Sequence, residues 1–120
     1  MTDANIDVGV ATAEELAQLA AHIEPGPLKD TISGWCIVAV RVAIGTVRTV
    51  ETVLFGDTPE GRRWLTSAVI AVDLDRGLVR IRNSLYAVTG PSVEPSAEAK
   101  ERITTIMMAE AVRALKTGGA

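Results

Sequence analysis

The segment "GWCIVAVRVAIGTVRTVETVLF", residues 34–55, decides the fold class of this chain. It is rich in Val, Ile and Thr, whose branched β-carbons favour extended strands over helices. The composition predicts two strands, over about 34–43 and 47–55, joined by a turn near Gly45. A helix over 47–55 is the alternative, but the repeated Val/Thr pairs of "TVRTVETV" favour a strand. With the turn centred between Ile44 and Gly45, we expect Arg41 opposite Arg48.

The residues that follow predict the rest of an antiparallel sheet. "GDTPEG" is typical of a turn, and "RRWLTSAVIAVDL" predicts the next strand, which ends in a turn at Asp75-Arg76-Gly77. "LVRIR" predicts another strand, with Arg80 and Arg82 on one face. Asn83-Ser84 is the expected turn into a short last strand, "LYAV", and a continuous strand through Asn83 is the alternative.

One helix is predicted before the sheet in the sequence and another after it. In "TAEELAQLAAHIE", Thr12 and Glu15 form a capping box, apolar residues recur at helical spacing, and Pro25 ends the pattern. Ser96 is the expected cap of a second helix over 97–117. Its predicted apolar side consists of Ile103, Ile106, Met107, Ala111, Ala114 and Leu115.

These elements predict an α+β fold in a single domain over residues 1–120. Its expected parts are a loosely ordered lead-in (1–11), an N-terminal helix (12–24), an antiparallel sheet of about five strands built from hairpins or a meander (34–89), and a C-terminal helix (97–117) packed on the sheet.

Composition limits the classes of function. Hydrophobic residues are 48% and charged residues 22%, which is typical of a folded globule, but aromatics are only 3%. So modest a core favours a homo-oligomer. A net charge of −3 argues against general nucleic-acid affinity. The longest apolar stretch is far too short for a membrane span, so a cytoplasmic location without a membrane partner is expected.

The residues that usually carry catalysis or hold metals are sparse. Cys36 is the single cysteine and is predicted to be a buried, inert thiol, and His22 is the single histidine. Asp73 and Asp75 are interpreted as turn residues that bind nearby backbone amides. "GDTPEGRR" lacks the ending of a phosphate-binding loop. We therefore expect no enzyme, no metal and no cofactor.

One polar cluster remains, in "GLVRIRNSLYAVTG", residues 77–90. Arg80 and Arg82 can contact phosphate through two guanidinium hydrogen bonds, Asn83 both donates and accepts, and Tyr86 offers a stacking face and a hydroxyl. The cluster indicates a site for a small anionic or nucleotide-like ligand. The alternative is a solvated sheet face whose arginine stems cover apolar surface.

The order "WLTSAVIAVD", "GLVRIRNSLYAV" and a C-terminal helix, over roughly residues 63–115, resembles small phage-type proteins. Among characterised groups, it resembles the Thoeris anti-defence proteins, which act as nucleotide sponges. The resemblance implies a cyclic ADP-ribose isomer held between protomers of an oligomer, without chemistry. It favours Asn83 and Tyr86 at the turn and Arg102 on the last helix as ligand contacts. The chain departs from that pattern in its extra helix at 12–24.

The sequence thus predicts a non-enzymatic, oligomeric protein that sequesters a phosphorylated or nucleotide-like ligand through Arg80, Arg82, Asn83, Tyr86 and Arg102. The alternative is a protein-interaction module or inhibitor that docks through its amphipathic helices, with Met107 and Met108 as an adaptable apolar surface.

Overall fold

The computed structural model describes residues 4–118, which form six strands and two helices. In chain order these are β1 (Ala4–Val10), α1 (Ala13–Leu19), β2 (Asp30–Ile44), β3 (Val47–Asp57), β4 (Arg63–Asp73), β5 (Leu78–Ile81), β6 (Ser84–Thr89) and α2 (Ala97–Gly118).

Strands β2 to β6 form a closed five-stranded barrel. Each strand pairs antiparallel with the next, and the barrel closes where β2 residues Asp30–Ser33 pair in parallel with β6 residues Tyr86–Thr89. Five strands that alternate in direction leave the first and last running the same way, so the closing pair must be parallel. The predicted α+β fold, an open antiparallel sheet behind an N-terminal helix, is therefore wrong.

The chain begins its sheet earlier than predicted. The segment taken as a loose lead-in forms β1, which pairs antiparallel with β2 from Ala4 opposite Ile44 to Val10 opposite Val38. Residues 1–3 lie outside the described part of the chain. The 15-residue length of β2 makes this possible, because its first residues close the barrel and its later residues carry β1 on the same edge.

Apolar residues lie in two layers, one inside the barrel and one between the sheet and α2. The barrel interior is filled by Ile32, Ile37, Ala39, Leu54, Val69, Val72, Val79, Ile81 and Tyr86. The second layer consists of Cys36, Val38, Val40, Val53, Ile103 and Met107. Cys36 is 0% exposed, which confirms the prediction of a buried cysteine, and this burial raises the pKa of its thiol.

Helix α1 starts as predicted and ends early. The Thr12 hydroxyl accepts a hydrogen bond from the Glu15 amide at 3.1 Å, and the Glu15 carboxylate accepts one from the Thr12 amide at 2.8 Å, which confirms the capping box. The helix ends at Leu19 rather than 24, because Ala21 donates its amide hydrogen to the Val72 carbonyl of β4 at 3.0 Å. Tertiary hydrogen bonds replace helical ones there.

The β2–β3 turn fixes a register that differs from the expected one. Ile44 pairs with Val47 across a turn at Gly45-Thr46, and the Gly45 φ of 61° suits the first position of a type II′ turn. Arg41 consequently lies opposite Val50, so the predicted pairing of Arg41 with Arg48 is wrong.

Helix α2 confirms the predicted C-terminal helix and its cap. The Ser96 hydroxyl accepts the Ala99 amide hydrogen bond at 3.1 Å. Ile103 and Met107 are buried, whereas Ile106 is 45% exposed. The side chains of Ala111, Ala114 and Leu115, also predicted on the apolar side, lie outside the described part of the structure. Neither helix, over residues 4–118, is long and apolar enough to cross a membrane.

Candidate functional site

The turn between β5 and β6 organises the predicted site. It consists of Arg82 and Asn83, one residue earlier than expected, because Ile81 pairs with Ser84. Among the described residues other than glycine, none has a positive φ, so the turn does not use the left-handed conformation that Asn83 tolerates. Arg80 lies on β5 between Val79 and Ile81, whose side chains face the barrel interior, and its own side chain is exposed.

Arg80 and Asn83 meet in a recess of about 410 Å³ on the outside of the barrel. Lys29 and Ser84 contribute the other polar side chains, and the rest of the lining is Gly26, Pro27, Leu28 and Leu85. No acidic residue lines this recess within residues 4–118, and neither Arg80 nor Lys29 forms an ion pair with a described residue. We call it the Arg80 recess.

The segment 20–29 places Lys29 in the Arg80 recess by crossing the outside of β5 and β6. Ile23 is 3% exposed and packs with Leu78 and Leu85. The Lys29 amide donates a hydrogen bond to the Leu85 carbonyl at 2.7 Å. The segment therefore lies against the hairpin that carries Arg80, and the two cations approach the recess from different parts of the sequence.

Asp73 holds the start of this segment. Its carboxylate, on a residue only 9% exposed, accepts hydrogen bonds from the amides of Ile23 at 3.0 Å and Arg76 at 3.4 Å. The Ile23 hydrogen bond, followed by the Arg76 contacts, outweighs burial and lowers the pKa of Asp73. The Arg76 bond fits the predicted turn role of Asp73, whereas the shorter bond, from Ile23, comes from a segment fifty residues away.

Arg82 lines a different recess. This second recess, of about 480 Å³, shares Asn83 and Ser84 with the Arg80 recess but also contains Glu51, Ala68, Ile70 and Ile81. A carboxylate in the lining makes it less favourable for an anion. Arg80 and Arg82 were predicted to lie on one face of a strand. This is wrong, because β5 ends at Ile81 and Arg82 lies in the β5–β6 turn.

Tyr86 is part of the core rather than a free stacking surface. It is 2% exposed, and its hydroxyl accepts a hydrogen bond from the Trp64 indole nitrogen at 3.2 Å. Both residues line a small recess of about 180 Å³ with Lys29 and Arg62, which also contains Asp30 and Glu60. Trp64, 39% exposed, is thus the aromatic ring that solvent reaches at this end of the barrel.

Arg102 lies apart from all three recesses. It is on α2 with its side chain 73% exposed, and its guanidinium is 4.0 Å from the Glu98 carboxylate. It lines none of the recesses around the β5–β6 turn. The structure therefore brings together Arg80 and Asn83, leaves Arg82 and Tyr86 in adjoining recesses, and does not bring Arg102 to the site.

A further recess, of about 760 Å³, lies at the other end of segment 20–29, beside His22 and Asp73. The His22 ring is 3.0 Å from the Glu24 carboxylate and 3.9 Å from that of Asp73. Because backbone amides already occupy the Asp73 oxygens, the arrangement anchors the segment. No group of three or more His, Cys, Asp or Glu within the described residues is placed to hold a metal ion.

Sequence reasoning missed Lys29. It stands after "EPGP", a pattern that indicates a chain break but does not say which strands the segment crosses. Its role depends on the Leu85 contact, more than fifty residues away, and no local signal marks it. Comparisons of the chain with protein-family models, curated proteins and solved structures gave no match.

Proposed function

We propose that the chain binds a small phosphorylated ligand in the Arg80 recess and sequesters it without chemical change. The observation that carries the proposal is the pairing of two cations, Arg80 and Lys29, in a lining that contains no described acidic residue. A guanidinium forms two parallel hydrogen bonds to phosphate, and an ammonium adds a compact charge. Asn83 and Ser84 supply neutral donors beside them.

The size and surroundings of the recess support a nucleotide-like ligand. A volume of about 410 Å³ falls in the range of small-molecule sites. Lys29 also lines a second recess, which contains Trp64 and Arg62, so the two recesses adjoin, and the partly exposed indole offers a surface for stacking a flat ring. The resemblance to nucleotide sponges points to the same ligand class.

We propose sequestration rather than catalysis because the polar side chains of the described lining suit the holding of a phosphate. They are two cations and two neutral hydrogen-bonding groups: Lys29, Arg80, Asn83 and Ser84.

Docking through α2, the alternative function, has less support. Met107 is buried against the sheet, which removes one of the two methionines from any docking surface. Ile106 and Met108 are 45% and 44% exposed, but residues two apart on a helix point about 200° from each other. They therefore do not form one apolar stripe.

Isothermal titration tests the proposal directly, with inorganic phosphate, pyrophosphate, nucleoside mono- and diphosphates and cyclic ADP-ribose isomers as ligands. Arg80→Ala and Lys29→Ala should each weaken binding of the best ligand by about tenfold or more, since a charged hydrogen bond contributes roughly 1.5–3 kcal/mol. Raising the salt concentration should weaken ligand binding by the wild type, because salt screens the attraction between the two cations and the phosphate.

Arg102→Ala is the matched control, because it removes an arginine that lies outside the recesses. It should bind like the wild type. No binding of any ligand in the set, or equal losses for Arg80→Ala and Arg102→Ala, would rule out the Arg80 recess as the site.

A further inference from the structure

Strand β3 has an exposed, unpaired edge over its first half. It pairs with β2 along its length, but within residues 4–118 its pairing with β4 extends from Val53 to Asp57 and leaves residues 47–52 without a hydrogen-bonded strand on that side. Val47 and Val50 in this stretch are 62% and 56% exposed. Unpaired strand edges with exposed apolar side chains are the usual sites of pairing with another chain.

The ladder shows which backbone groups face outward. Ile44 and Val47 close a two-residue turn and therefore form a hydrogen-bonded pair, so Thr49 and Glu51 also direct their N–H and C=O groups at β2. Arg48, Val50 and Thr52 direct theirs at the open edge. Leu54 continues this outward series, and its amide donates to the Thr66 hydroxyl of β4 at 3.0 Å.

We propose that two copies of this chain pair through residues 47–51 of β3, antiparallel, about a two-fold axis at Thr49. A two-fold axis at Arg48 would oppose two guanidinium groups, which is destabilising. An axis at Val50 would place Val47 of the second copy opposite Val53, a position that Ala68 of β4 already occupies. The Thr49 axis avoids both conflicts.

The Thr49 register satisfies the outward backbone groups. Arg48 of each copy lies opposite Val50 of the other, so the two pairs form about four backbone hydrogen bonds. Thr49 faces itself, a favourable cross-strand pair, and the Arg48 stem covers the exposed Val50. A recess of about 480 Å³ lies beside this edge, lined by Glu51 of β3 and by Ala68 and Ile70 of β4. The pairing does not involve the Arg80 recess, so either proposal can fail without the other.

Cysteine cross-linking tests the register. Under mild oxidation, Thr49→Cys should give a disulfide-linked dimer at micromolar protein concentration, because facing residues in a non-hydrogen-bonded pair lie within disulfide distance. Arg48→Cys faces Val50 and should cross-link more slowly. Val93→Cys replaces a residue that is 50% exposed and lies beside residues 55–57, at the other end of β3 from Thr49, so its cross-linking rate measures random collision. The native Cys36 is 0% exposed and should contribute little background.

Cross-linking of Thr49→Cys no faster than that of Val93→Cys would overturn the proposal, and faster cross-linking of Arg48→Cys would overturn the register. Sedimentation velocity is the second readout. Val50→Pro removes an N–H that points away from β2, so the β2–β3 hydrogen bonds remain. This variant should be a monomer at concentrations where the wild type is a dimer, whereas Val93→Lys should still dimerise. A wild-type protein that stays monomeric up to millimolar concentration would also contradict the pairing.

Discussion

Gly56 lies where its surroundings leave no room for a side chain. A Cβ added there would lie 2.3 Å from Ile32 Cγ2 and 2.9 Å from the Ser33 carbonyl oxygen, closer than any real contact. Gly56→Ala should therefore force β3 away from β2 and lower the free energy of unfolding by about 2–4 kcal/mol, measured by urea denaturation. Gly26→Ala, where the added atom meets nothing within 4 Å, should change stability by less than about 0.5 kcal/mol.

Glu15 provides the clearest pH dependence. Its carboxylate accepts hydrogen bonds from the Arg41 guanidinium at 2.7 and 3.0 Å, and Arg41 also reaches Asp7 at 2.7 Å. The Arg41 bonds, then the Thr12 amide, lower the pKa of Glu15 from 4.5 to about 2. The folded state thus binds this proton less readily than the unfolded state, so the stabilisation is complete above pH 4.5 and is lost as the pH falls toward 2.

Glu15→Gln removes this charge but keeps a side chain that completes the capping box. Wild type should be more stable than the variant above about pH 5, and the difference should shrink as the pH falls below 4.5. Urea denaturation at several pH values measures it. A difference that is constant with pH would show that the Arg41 contact does not depend on the Glu15 charge.

Single residues could be predicted where the chemistry is local. The capping box depends only on Thr12 and Glu15 being three residues apart, so the sequence shows it directly. The burial of Cys36 follows from its apolar neighbours. Arg41, Tyr86 and Lys29 could not be placed in this way. Each is positioned by a partner more than twenty residues away in sequence, and no pattern of residue types encodes those pairings.

At the scale of elements, the strands were predictable and their ends were not. β-branched residues identify β2, β3 and β4, and turn residues separate them, because both signals are local. β1 was missed although its sequence alternates Asn5 and Asp7 with Ile6 and Val8, the pattern of a half-buried strand, and Ile6 and Val8 do pack on the layer beneath α2. α1 ends early because β4 binds the residues after Leu19, and no sequence signal marks that contact.

Segment 20–29 links the stability of the fold to the proposed site. Asp73→Ala would leave the Ile23 amide without its hydrogen-bond acceptor, at a cost of about 1–3 kcal/mol in unfolding free energy. Since Ile23 anchors the segment that carries Lys29, the same variant should weaken pyrophosphate binding several-fold. Asp75→Ala, two residues along and exposed, is the matched control and should do neither. If a folded Asp73→Ala protein bound pyrophosphate with wild-type affinity, the Ile23 anchor of segment 20–29 would not be needed for ligand binding.

For the molecule as a whole, barrel closure was the unpredictable step. Strand composition does not distinguish an open sheet from a closed one, because closure depends on a parallel pairing between residues 30–33 and 86–89. That closure creates the Arg80 recess. It places the start of β2 beside β6, so the chain that leads into β2 must cross the outside of the β5–β6 hairpin and bring Lys29 to Arg80.

The central claim is that a phosphorylated ligand binds where these two segments meet. The most direct measurement is a ¹H–¹⁵N correlation titration of the wild type and of Arg80→Ala with inorganic pyrophosphate. We expect the largest shifts at the amides of Lys29, Ser84 and Leu85, and their loss in the variant. No saturable shifts, or the largest shifts around Arg102 on α2, would contradict the account.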